Sequence, residues 1–97
     1  MYVIYGVIDL RLLYSGSLKD KRKIVQAIIA RIRSKYNISI TEVDYHDLWQ
    51  RSLIGFTAVI NNSSGIDAVI STIEKTVYSF ENEVELLLID HKIITYC

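Results

Sequence analysis

Alternating apolar and polar side chains open the chain. Between Tyr2 and Tyr14, Ile4, Ile8, Leu10 and Leu12 fall on even positions, while Asp9 and Arg11 fall on odd ones. A period of two sends neighbouring side chains to opposite faces, so this stretch predicts a strand with one buried side. Ser15-Gly16-Ser17 breaks it. The period then becomes helical, with Val25, Ile28, Ile29, Ile32 and Tyr36 on one stripe. Ser17 is placed to cap this helix, Asp20 stands at the capping-box position, and Asn37 suits a left-handed stop. Ile38 to about Tyr45 reads as a second strand. Its apolar parity shifts from Ile38 and Ile40 to Val43 and Tyr45, as a bulge near Thr41 or Glu42 would cause. Ser52 to Ile60 is a third strand, with Ile54, Phe56, Ala58 and Ile60 on one face. After the Asn61–Gly65 break comes a second helix, with Ser64 and Asp67 at capping-box spacing. Its stripe is Ile66, Val69, Ile70, Ile73, Val77 and Phe80, and Asn82 is its stop. Val84 to Ile94 is the last strand.

The order β-α-β-β-α-β predicts a ferredoxin-like α+β sandwich over residues 1–97, a four-stranded antiparallel sheet with two helices on one face. Right-handed crossovers put strands one and three in the centre. The start of helix one, the turn between strands two and three, and the end of helix two then share one edge. Ser17, Lys19 and Lys21 are expected there beside Asp44, His46, Asp47, Trp49 and Arg51. The face without helices is expected to carry Val3, Tyr5, Val7, Leu53, Thr57 and Val59. Burying ~600 Å² of it would contribute about 15 kcal/mol before association costs, at ~25 cal/mol per Å². A twofold homodimer through that face is the expected consequence.

Composition narrows the classes. At 97 residues and 51% hydrophobic, the chain suits one folded domain. The only cysteine is Cys97, and a lone thiol points to a reducing, cytoplasmic setting. The apolar stretch MYVIYGVIDLRLLY is interrupted by Asp9 and Arg11, has no basic leader and is too short for a bilayer, so no membrane association is expected. Net charge is zero but segregated. Residues 17–36 hold seven Lys and Arg against Asp20, a local +6, whereas residues 65–97 sum to −4. Cations at a helix start, where backbone N–H groups already favour anions, suit RNA backbone or a ribosomal component. Lys19, Lys21, Arg22, Lys23 and Arg51 are the candidate contacts. The competing reading is a solvated helix face balanced by the acidic half.

Chemistry is densest in EVDYHDLWQR, residues 42–51. Strand geometry would put Asp44 and His46 on one side, near Asp47, as an acid–base or metal cluster. Hairpin-turn chemistry, with Asp47 bonding turn backbone, explains the same residues without a ligand. No HxH, CxxC, phosphate-binding glycine loop or nucleophile elbow is present, so no metal, cofactor or catalytic residue is expected. Trp49 is either a stacking platform or, more in keeping with the area an indole buries, a lid on the core or an interface anchor. GFTAV, residues 55–59, faintly matches an RNA-recognition strand, but Phe56 has core parity.

SLKDKRK (17–23) and EVDYHDLWQRSLIGF (42–56) together resemble the YlxP-like family of small bacterial proteins of unknown function. The resemblance spans nearly the whole chain and implies the same ferredoxin-like fold. It also implies a translation-related setting, because genes of that family often neighbour translation-initiation and ribosome-maturation genes. It supplies no catalytic residue.

Overall fold

The computed structural model describes residues 1–97. Its elements are β1 (Tyr2–Leu12), α1 (Leu18–Lys35), β2 (Ser39–Asp44), β3 (Arg51–Ile60), α2 (Ser64–Tyr78) and β4 (Val84–Thr95). The sheet order is β2-β3-β1-β4, antiparallel throughout, so β1 and β3 are central. The fold is the ferredoxin-like sandwich that the pattern predicts.

Each amphipathic element turns one side into a common core. Ile4, Ile8 and Leu10 of β1, with Ile54 and Phe56 of β3, meet Val25, Ile28 and Ile32 of α1 and Val69, Ile73 and Val77 of α2. The residues expected on the other face lie there, together with the charges of Asp9, Asp90 and Lys92. Val3 lies opposite Val59, Tyr5 opposite Thr57 and Asp9 opposite Leu53. None of these joins the core, and Val59 remains 69% exposed. β4 extends that face, because Leu88 lies opposite Asp9 and Ile94 opposite Val3.

Element ends differ from the sequence reading. Ser17 does cap α1, its Oγ accepting from Asp20 N–H at 3.1 Å. Asn37 is no left-handed stop: α1 closes on Tyr36 in extended conformation, and the only non-glycine residue with positive φ is Tyr45. Asn82 is not left-handed either, and α2 ends at Tyr78 through a run of turns. At the start of α2 the cap comes from Asn62, whose Oδ1 accepts from Gly65 N–H (3.1 Å) and Ser64 Oγ–H (2.6 Å). The bulge in β2 falls between Glu42 and Asp44, slightly later than predicted.

Two positions carry measurable consequences. β4 crosses β1 so tightly at Gly6 that a methyl there would lie 2.8 Å from His91 Cα and overlap Asp90 O. Gly6→Ala should therefore lower unfolding free energy by about 2 kcal/mol or more, as overpacking does. Thr76 is buried with an unpartnered Oγ1. Replacing an unsatisfied hydroxyl by an isosteric methyl removes a desolvation penalty, so Thr76→Val should raise stability by about 1 kcal/mol in urea titration.

Candidate functional site

The loop between β2 and β3 is built around an ammonium group. Lys21, one turn into α1, has no solvent exposure. Its Nζ donates to the carbonyls of Tyr45 (2.6 Å), His46 (3.2 Å) and Arg51 (3.2 Å), and lies 3.2 Å from Glu42 Oε2. Glu42 is nearly buried and also accepts Ser52 Oγ–H at 2.6 Å. An ammonium group has three donors and no acceptor, so Lys21 is saturated. It gathers carbonyls from both ends of the 45–51 segment and pins them to the helix.

A second clamp works from the open face. Arg51 Nη2 donates to Asp9 Oδ1 at 2.9 Å and Oδ2 at 3.1 Å, and its guanidinium stacks 4.8 Å from the Tyr45 ring centre. Its pKa is held above the ordinary arginine value, chiefly by the hydrogen bond to Asp9, while desolvation acts in the opposite sense. Tyr45 takes φ 63°, which turns the chain out of β2. The loop tip then stands clear. Trp49 is 53% exposed, with Leu48, Asp47 and Gln50 also at the surface. Asp47 to Arg51 line a shallow recess of about 460 Å³.

This geometry divides the residues singled out above. Lys21 is corrected from a ligand contact to a structural group, because burial removes it from any surface. Arg51 lies on the open face, away from the helices, and is occupied by Asp9 and Tyr45. Lys19, Arg22 and Lys23 are exposed and form no ion pair. Arg33 bonds Ile40 O, and Arg31 bonds Ser79 Oγ and covers the Phe80 ring. Of the local +6, then, only part is free.

The start of α1 does meet the β2–β3 loop, through Lys21, but the expected side chains line no common cleft. Ser17 is consumed by its capping role. The concavity by the start of α1 is formed with Phe80 and Glu83 and shares no residue with the Trp49 recess. Asp44 and His46 do not face one ion, because the strand ends at Asp44 and Tyr45 reverses the backbone. Asp44 accepts from Tyr45 N–H at 2.7 Å, the turn role expected of Asp47, and His46 Nε2 lies 3.2 Å from Glu42 O. No three of His, Cys, Asp or Glu converge as a metal site would require. Trp49 does not cover the core.

The residues missed were Glu42, Ser52 and Asp9. The signal for two of them was parity: Lys21 continues the stripe of Val25 and Ile28, Glu42 follows Ile38 and Ile40, and Ser52 precedes Ile54. Polar groups on three core-facing positions have to find one another. Breaking a buried pair strands the remaining charge. Lys21→Met should therefore cost about 3 kcal/mol of stability, and adding Glu42→Gln should cost far less than it does alone, both measured by denaturant unfolding.

The model of the family described as "Protein of unknown function (DUF503)" matches residues 3–91. Over 45 residues the chain is 47% identical to the uncharacterized protein YlxP of Bacillus subtilis (strain 168). That match covers 46% of this chain and 49% of the other, about half the length of that curated relative. Among solved structures the chain is similar to the de novo designed protein Foldit4 (TM-score 0.58, 8% identity, all of both chains). It is also similar to SnoaB, a cofactor-independent oxygenase from Streptomyces nogalater (0.59, 7%, all of this chain and 95% of that one). A de novo designed protein with ferredoxin fold, LFR1 1, gives 0.55 at 14% identity, over 99% and 88% of the two chains. At such identities these three likenesses are of fold alone. No helix is long and apolar enough to cross a membrane. From its first strand into its last, the chain belongs to the DUF503 family, YlxP-like proteins of unknown function.

Proposed function

We propose that this chain is a non-enzymatic, homodimeric binding module of the cytoplasm that holds RNA by its phosphate backbone in a translation-related setting. The observation that carries the RNA reading is the unpaired trio Lys19, Arg22 and Lys23 on the exposed flank of the first turns of α1. Their spacing of three and four residues keeps them on one side of the helix. Cations at a helix start oppose its dipole slightly, a cost that a bound polyanion reverses. The family resemblance supports the setting. The open face of Val3, Tyr5, Val7, Leu53, Thr57 and Val59 supports the dimer, since so apolar a sheet surface is rarely left in water.

A second reading has its own observation. Leu48 and Trp49 are exposed on a loop fixed at both ends, and a rigid exposed indole is a frequent anchor of protein interfaces. In that reading a protein partner binds the Trp49 edge and the open face, and the cations of α1 serve solubility.

Binding to single-stranded RNA should weaken as salt rises. Changing Lys19, Arg22 and Lys23 together to Ala should flatten the log–log salt slope by about 2, given ~0.7 per phosphate contact. Affinity that is absent or indifferent to salt refutes the RNA reading. Trp49→Ala should leave RNA affinity unchanged; loss of a protein partner's binding in that variant, with no salt-dependent RNA binding by the wild type, favours the second reading. Light scattering at micromolar concentration should give twice the chain mass.

A further inference from the structure

The two edges of the sheet are finished differently. β2 has six residues, bears the bulge and runs into the clamped loop. β4 has 12 residues and no proline, and its one register shift lies opposite Asp9 and Leu10, leaving Leu88–Thr95 regular. Its free side is therefore a row of unpaired N–H and C=O groups, a template for another strand. The ladder phase identifies them. Tyr96 N–H donates to Met1 O at 2.8 Å, and the Met1 amino group donates to Tyr96 O at 3.0 Å. Bonded pairs alternate along an antiparallel ladder, so Ile94, Lys92 and Asp90 bond to β1. Ile89, His91, Ile93 and Thr95 turn their backbone groups outward.

We propose that β4 pairs antiparallel with β4 of a second copy, with His91 opposite His91 on the twofold axis. In that register Asp90 faces Lys92 of the second copy, and by symmetry Lys92 faces its Asp90. Ile89 meets Ile93, and Leu88 meets Ile94. The last two are 54% and 53% exposed in the single chain and stand on the open face, whereas the isoleucine pair stands on the helix side. Cross-strand pairs of this kind are what stabilise a ladder. Neighbouring symmetric registers lose the match. With Asp90 or Lys92 on the axis, like charges face each other. With Ile89 or Ile93 there, both charges face apolar side chains or Tyr96. The strand is thus self-complementary in sequence as well as in backbone, as an isologous contact requires. The product is a continuous eight-stranded sheet.

This inference rests on the homodimer reading but places contact at the edge rather than on the open face. Asp90→Lys and Lys92→Asp should each lower the mass measured by light scattering by half, with circular dichroism unchanged. Mixing the two variants should restore the wild-type mass, because every charge then finds its opposite. His91→Cys in a Cys97→Ser background should form an intermolecular disulfide on oxidation; two thiols on the helix side meet only at this edge. Unchanged mass in both single variants, no recovery on mixing, or no cross-link overturns the edge pairing. If Val59→Glu alone halves the mass, the chain associates through its open face and the edge proposal fails while the homodimer stands.

Discussion

A single buried ammonium group joins the helical layer to the sheet at the one place where the chain is irregular. Lys21 replaces the water that three loop carbonyls would otherwise need, and Glu42 balances its charge. Buried pairs of this kind add little net stability over an apolar pair of the same shape, but they tolerate no partial loss. Their value here is positional. Three carbonyls converging on one nitrogen fix where the 45–51 segment leaves and re-enters the sheet, whatever its tip does. The Asp9–Arg51–Tyr45 stack fixes the same two ends from the opposite face. A loop held this way can carry Leu48 and Trp49 in water without collapsing them onto the core.

The rest of the architecture is a consequence of sidedness. Helices cover the face of Ile4, Ile8 and Ile54, so the reverse face has to be handled by other means. It is handled unevenly. Charged pairs occupy one end, Arg51 with Asp9 and Arg11 with Glu85, while Val3, Val59 and Ile94 lie toward the other, with Asp90 and Lys92 between, opposite Val7 and Tyr5. The charged end coincides with the clamped loop. The regular half of β4 sets one acid and one base, Asp90 and Lys92, between Leu88 and Ile94 on that face.

Element identity and order were legible because period-two and helical patterns were clean over long runs. Sheet order followed from handed crossovers, and the open face followed from strand parity. Helix ends were less legible. Asn37 and Asn82 look like left-handed stops, but tertiary packing closed both helices without positive φ, and Asn62 rather than a serine caps α2. The site was legible only in part. Lys21 sits in a basic run whose charge suggests a surface cation, although its spacing from Val25 and Ile28 places it inside. Glu42 and Ser52 look ordinary as strand residues, although their parity puts them on the core side. Charge composition counts residues without asking which way each one points; periodicity supplies the direction, and the two had to be combined at each position.

Direction also governs how the free cations act. A twofold axis perpendicular to an extended sheet leaves both helical layers on the same side, so Lys19, Arg22 and Lys23 of two copies point into one half-space. A flexible polyanion bound at one trio then meets the second at raised effective concentration, and affinity rises without any new contact chemistry. Stacking through the open face does the opposite, sending the helices outward in opposing directions and separating the trios across two sheet thicknesses. The geometry of self-association thus decides whether these cations act together or apart, and for a chain with zero net charge that distinction outweighs the count of basic residues.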